Sequence, residues 1–178
     1  MDKRSELNKE IKGAMAKALF LLLEEKEFDS ITISEIVIKA GVARASYYRN
    51  FKKKEDIIRY YLMDLLDRYK NKYPANLSHI ARYDNVFRTF AYVYEYRREL
   101  QALFKAELGQ FILDAFNNYI ISRSDLTDVH PLYKYPFYSY AGALYNVIYY
   151  WITNGCKETA QEMTQAYFAS LHLPTEDF

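Results

Sequence analysis

The segment from Phe28 to Ile57, FDSITISEIVIKAGVARASYYRNFKKKEDI, constrains this chain more than any other. Thr32 and Glu35 stand at the spacing of a capping box, in which a hydroxyl and a carboxylate three residues apart satisfy each other's orphan backbone N–H groups. Ile33, Ile36 and Val37 then recur at helical spacing. Gly41 ends that run, because glycine enters the left-handed backbone region without steric cost. Val42 is placed to plug a turn, and Ala43 to Arg49 reads as a second short helix, mostly polar. Phe51 closes the hydrophobic centre of the unit. Lys54-Glu55-Asp56 opens a longer helix with two acids in its first turn, where the helix dipole favours them. Two short helices joined by a tight turn and followed by a third are the outcome.

Charge gives this unit a direction. Lys39, Arg44, Arg49, Lys52, Lys53 and Lys54 fall between positions 39 and 54 with no Asp or Glu among them. A compact helical unit with a one-signed face suits a nucleic-acid duplex, where one helix enters the major groove and cations meet the flanking phosphates. The whole chain carries a net charge of only +1, but the charge is uneven. Residues 1–72 hold 16 Lys and Arg against 12 Asp and Glu, a net of +4, and residues 73–178 hold 8 against 11, a net of −3. The basic end is the end with the motif.

The rest of the chain reads as all-α. Leu7, Ile11, Ala14, Ala18 and Leu22 recur at three and four, which predicts a first helix over 5–26 that backs the motif. A helix over 54–70 turns Ile58, Tyr61, Leu62, Leu65 and Tyr69 to one side, and Tyr73-Pro74 breaks it. The polar stretch 75–84 reads as a linker and 124–131 as a loop. Further helices are expected over 85–95, 97–105, 107–122, 135–153 and 158–171. The tyrosines favour strand locally, yet Ala141, Leu144, Tyr145, Ile148 and Ile152 recur at helical spacing, and pattern outweighs propensity. Asn154-Gly155 stops one helix, and Thr159 with Glu162 repeats the capping-box spacing before the last.

Thr32, Ile36, Ala40-Gly41-Val42, Tyr48, Phe51 and Lys54-Glu55 resemble the DNA-binding domain of the TetR family of bacterial transcription regulators, over residues 8–70. Ala43 stands where that family usually has a small hydroxyl residue, and Ala45 where it often has glycine. Trp151, Gly155 and Glu162-Met163 resemble the end of a TetR subgroup with W-x-x-x-G before its final helix. The resemblance implies a domain over 1–53 that reads DNA and a helical domain over 54–178 that dimerises and takes an effector, the helix 54–70 connecting them. It implies a homodimer, its last two helices forming a four-helix bundle with the partner's, that binds a near-palindromic operator as a repressor. Two-fold symmetry then spaces the half-sites by about 34 Å or more.

Site residues follow. Arg44 and Ser46 are the expected base-edge contacts, since arginine bonds guanine bidentately. Tyr47 is expected to face the groove and meet a thymine methyl. Tyr48, Thr32 and Lys54 are expected at phosphates, with Ala43 at the helix start among the contact positions. Asn50 either reaches the DNA backbone or caps the helix end, and Lys52 and Lys53 add diffuse electrostatics. The family's final-helix pairing places Tyr140, Leu144, Ile148, Trp151, Met163 and Tyr167 at the dimer interface, because a helix apolar on more than one side must be covered on more than one side.

Of 19 Tyr and 11 Phe, Tyr92, Tyr96, Phe104, Phe111, Tyr145 and Tyr149 are the candidates for an effector pocket. Ring faces hold cations, and Glu95, Glu99 or Glu107 would neutralise one. A regulator or adaptor driven by a protein partner is the alternative; the subgroup includes such proteins.

Enzymatic chemistry finds no footing. His79, His130 and His172 are far apart with no acidic partner at metal-ligand spacing, so no metal and no cofactor are expected. Cys156 has no neighbouring His, and there is no phosphate loop or nucleophile elbow. A lone cysteine forms no internal disulfide and fits a reducing compartment. The start MDKRSELNKE lacks an apolar signal core, and no apolar run approaches the roughly 20 residues that span a bilayer, so a cytoplasmic protein with no membrane contact is expected.

Overall fold

The computed structural model describes residues 3–74, 82–122 and 131–170. Within them the chain forms α1 (Lys3–Leu23), a 3-10 turn (Phe28–Ser30), α2 (Ile33–Ala40), α3 (Arg44–Asn50), α4 (Lys54–Lys72), α5 (Tyr83–Glu95), α6 (Arg97–Lys105), α7 (Gly109–Ser122), a second 3-10 turn (Pro131–Lys134), α8 (Tyr135–Thr153) and α9 (Ala160–Ser170). No strand occurs among the described residues. The linker read over 75–84 lies outside them except for its last three residues, as do the three histidines and the loop over 124–131 up to its final residue.

The local signals act as their chemistry dictates. Thr32 caps α2: its Oγ1 accepts from the Glu35 N–H at 3.3 Å, and the Glu35 carboxylate accepts from the Thr32 N–H at 2.8 Å. Gly41 ends α2 at φ 66°, and the Val42 N–H reaches back to the Val37 carbonyl at 3.0 Å. Gly155, at φ 88°, ends α8 in the same way, with the Cys156 N–H on the Trp151 carbonyl at 2.9 Å. Thr159 and Glu162 then cap α9. The first helix stops at Leu23 rather than 26, because the N–H groups of Glu25 and Lys26 both close onto the Leu22 carbonyl.

α1 packs across α2 and α4, and α2 across α3. Leu19, Ile31, Ile36, Tyr47, Ile57 and Ile58 are buried at the centre of this unit. α4 runs on from it to pack on α7, while α5 lies on α9, and α8 on α6 and α7. The Phe90 ring meets Trp151 edge-on at 5.6 Å, joining α5 to α8.

Candidate nucleic-acid interface

α3 has two faces. Arg44, Ala45, Tyr48 and Arg49 are exposed; Ser46 and Tyr47 point inward. The Arg44 guanidinium is already held. It donates to the Ser34 hydroxyl of α2 at 3.3 Å and to the Tyr48 hydroxyl one turn on at 3.1 Å. The loss of side-chain entropy that a contact would demand is thereby partly met in advance. Ala43 takes the N-cap position of α3 with extended backbone and no side-chain cap, so the first N–H groups of α3 keep room for an external acceptor such as a phosphate. Thr32 opens α2 on the exposed surface. Ser34 carries no sequence signal; only the approach of α2 to α3 brings it to Arg44.

Three sequence expectations at this unit are corrected, for Tyr47, Ser46 and Lys54, and of the two readings of Asn50 the structure has the helix cap. Tyr47 is 0 % exposed, so it does not face a groove. Its ring packs edge-on against Tyr48 at 5.3 Å and tilted against Phe51 at 6.0 Å. Its hydroxyl is buried without a hydrogen-bond partner, and burial raises its pKa above the ordinary phenol value. Ser46 is 5 % exposed, and its Oγ accepts from Arg49 at 3.1 Å, so it is not on the exposed face of α3. Asn50 donates to the Ser46 carbonyl at 2.8 Å and so caps the end of α3. Lys54 spends its ammonium on the protein: it donates to the carbonyls of Phe28 and Ile31 at 2.7 Å each and of Asp29 at 3.3 Å, above the Phe28 ring. An ammonium has three protons, and all three are engaged.

Part of the positive face is matched by acids behind it. Lys26 pairs with Glu35, and Lys39 pairs with Glu25 at 2.5 Å. The Lys26 bond, then those from Thr32, hold the Glu35 carboxyl down at about 2. Lys52 and Lys53 are exposed, while their backbone N–H groups are taken by the Asp56 carboxylate at 2.9 and 3.0 Å.

An apolar pocket of about 100 Å³, partly open to solvent, lies between α4, α5, α7 and α8 of the C-terminal body. Tyr92 and Tyr96, two of the six aromatic candidates, line it. Phe104, Phe111, Tyr145 and Tyr149 do not. Phe104 meets Tyr145 and Tyr149 edge-on in a separate cluster between α6 and α8, and Phe111 lies under Arg59. Gly109 makes that cluster possible, because a Cβ there would stand 2.7 Å from the Tyr145 hydroxyl. The cavity takes Tyr69, Tyr73 and Tyr119 in their place, together with Tyr140 and Leu144. The four-residue spacing of Leu65, Tyr69 and Tyr73 along α4 and its C-cap, facing Tyr92 and Tyr96 at the end of α5, was the available signal. None of Glu95, Glu99 and Glu107 reaches the cavity; Glu95 is paired with Lys72 at 2.8 Å.

The expected dimer residues are also placed differently. Ile148 is 0 % exposed, and Leu144, Trp151 and Tyr167 are buried within the one chain. The sides of α8 that needed cover receive it from α6 and α7. Met163 is half-buried. What α8 leaves open is the opposite face, where Tyr135, Tyr138 and Tyr150 are exposed.

A helix-turn-helix with an exposed arginine on its second helix, carried on an all-helical body, is the architecture of a DNA-binding transcriptional regulator. Residues 17–61 match the family model described as bacterial regulatory proteins, tetR family, and residues 77–172 match that of a transcriptional regulator C-terminal region of TetR proteins. The chain belongs to the TetR family of transcriptional regulators, which are not enzymes.

The chain is 23% identical over 158 residues to YxbF, an uncharacterized HTH-type transcriptional regulator of Bacillus subtilis. That match takes in 84% of this chain and 41% of the relative, so the chain spans less than half its length. Two solved structures share the fold. One is a TetR transcriptional regulator from Streptococcus agalactiae, with TM-score 0.64 and 13% identity over 94% of this chain and 97% of that one. The other is the dihydroxyacetone kinase operon activator DhaS, with TM-score 0.60 and 18% identity over 90% of this chain and 93% of that one. No helix among the described residues is long and apolar enough to cross a membrane.

Proposed function

We propose that this regulator is a homodimeric repressor that binds a near-palindromic operator and is released by a small molecule in the cavity of its C-terminal body. Residues 1–53 read DNA, residues 54–178 dimerise and take the effector, and α4 joins the two. The observation that carries the reading is the Arg44 side chain, exposed on α3 and held by Ser34 and Tyr48. Arg44 reads a base edge, Tyr48, Thr32 and the N–H groups around Ala43 meet phosphates, and Lys52 and Lys53 add diffuse attraction. The open tyrosine face of α8 is the surface on which a second copy packs.

A chain of polar contacts supports release by an effector. Tyr96 lines the cavity, and its hydroxyl accepts from Arg68 at 3.2 Å. The Arg68 Nε holds Asp64 at 3.1 Å, and Asp64 holds Lys9 of α1 at 3.3 Å. A ligand that shifts Tyr96 acts on the helix that backs the DNA-reading unit. Release requires that the ligand prefer one of the two states, since equal affinity shifts nothing. The concave apolar pocket of about 100 Å³ favours a small molecule over the alternative of a protein partner.

Selection from random duplex, followed by fluorescence anisotropy of the selected duplex against a scrambled one across a salt series, tests this reading. Sequence-preferring binding with a steep salt slope supports it. Equal, weak binding to both duplexes refutes it.

A further inference from the structure

We infer that the cavity takes an uncharged, predominantly apolar molecule of about one aromatic ring, and discriminates against both carboxylates and ammonium ions of the same shape. This inference rests on the effector reading above and names the chemical class of that ligand.

The lining carries the argument. Among the described residues, no Asp, Glu, Lys, Arg or His lines the cavity. Its walls are leucine, isoleucine, valine and aromatic rings, with polar groups only from tyrosines, Thr89 and Asn85. Several of those groups are already engaged with protein. The Thr89 hydroxyl donates to the Asn85 carbonyl at 2.9 Å, so the Tyr69 hydroxyl is the donor in their 3.1 Å contact. The Tyr92 hydroxyl donates to the Leu65 carbonyl at 2.9 Å, and the Tyr96 hydroxyl accepts from Arg68. The surface that the pocket presents is overwhelmingly apolar, so shape and ring surface dominate recognition, which suits a flat apolar body.

Charge is excluded from both directions. Protein cations already sit on the lining rings: Lys72 lies 5.6 Å from the centroids of Tyr73 and Tyr92, Lys70 lies 5.5 Å from that of Tyr119, and Arg68 lies 5.1 Å from that of Tyr96. A ligand cation would compete for the same rings against like charge. A ligand anion would find these three cations paired, with Glu95, Asp67 and Asp64 respectively. Arg88 stacks on Tyr73 at 5.6 Å but does not line the cavity. Either ion would shed part of its hydration with no counter-charge in the walls. The volume sets the size: an apolar cavity of roughly 150 Å³ holds benzene, and this one, at about 100 Å³, takes one ring with small rotations of its tyrosines.

The test is isothermal titration of the full chain at neutral pH with three probes of one shape: benzyl alcohol, benzoate and benzylammonium. Benzyl alcohol is expected to saturate a single site per chain, with both ions weaker by about tenfold or more. Ala115→Phe places a ring in the cavity and is expected to abolish the benzyl alcohol signal; Ala115→Leu serves if the larger change prevents folding, which circular dichroism reports. An ion binding as tightly as the alcohol overturns the inference, as does no alcohol binding, or alcohol binding that survives in the filled variant. Anisotropy on the selected duplex without any probe is run in parallel. Intact operator binding beside a failed titration overturns the ligand class alone, whereas lost operator binding overturns the regulator reading itself.

Discussion

Arg68 lies with its guanidinium 5.1 Å from the centre of the Tyr96 ring and donates to the Tyr96 hydroxyl at 3.2 Å. One residue thus touches a wall of the cavity and, through Asp64, reaches Lys9 on α1. The Lys9–Asp64 pair is exposed on the lysine side and adds little stability, so its consequence is geometric. Arg68→Leu is expected to leave operator affinity nearly unchanged. It should shrink the loss of affinity caused by benzyl alcohol by about 2- to 30-fold, which corresponds to the roughly 0.5–2 kcal/mol carried by residues between coupled sites. Anisotropy titrations with and without the alcohol measure this, and an unaltered response shows the link to be idle.

Arg44→Ala removes the group proposed to read a base. Discrimination at one base pair per half-site should relax by about 1–3 kcal/mol, read as equalised affinities for duplexes substituted at that position. Replacing Lys52 and Lys53 together by alanine should leave base preference intact and lower the salt slope by about 1 for each phosphate that the two lysines neutralise.

Lys54 is a structural anchor here. Lys54→Met leaves three carbonyls of the Phe28–Ile31 turn without their charged donor and should cost about 1–3 kcal/mol in thermal or urea unfolding. The salt slope of DNA binding should stay unchanged. A flattened slope with wild-type stability would return Lys54 to the phosphates.

Tyr47→Phe removes a buried hydroxyl that has no partner. Stability should hold or rise, by up to about 1 kcal/mol, because no desolvated group remains to be compensated. DNA affinity should be unchanged, since the ring is fully enclosed. Loss of DNA binding in this variant would place Tyr47 at the groove after all.

Glu35 gives the N-terminal unit an acid limit. Its carboxyl is held down at about 2 by the Lys26 bond and the Thr32 cap. In the unfolded chain it titrates near the ordinary glutamate value, about 4.3. Between these values the unfolded state binds more protons, so stability is full above the higher pKa and falls as pH drops toward the lower. Glu35→Gln should flatten the pH dependence of unfolding in that window, as measured by thermal melts from pH 6 down to 2.

Much of the fold was legible in the sequence because its signals are local. The box of Thr32 and Glu35, the left-handed Gly41 and Gly155, and the three-and-four spacing along α4 and α8 act within a few residues of chain. Their outcome needs no knowledge of what lies opposite. They set the helices, the turn between α2 and α3, and the polarity of the DNA-reading end. Tyr47 and Tyr48 show where such reading stops. Adjacent and chemically identical, they point to opposite sides of α3, one 0 % and the other 55 % exposed, and only the packing of α1, α2 and α4 selects which is which. The same holds for Lys54, whose three acceptors lie more than twenty residues away, and for the tyrosines of α8. Helical spacing shows that α8 needs cover on several sides, but not whether that cover comes from its own chain. Burial and long-range hydrogen bonds are properties of which surfaces meet, so the cavity, the link from Tyr96 to α1 and the open face of α8 were decided by tertiary structure alone.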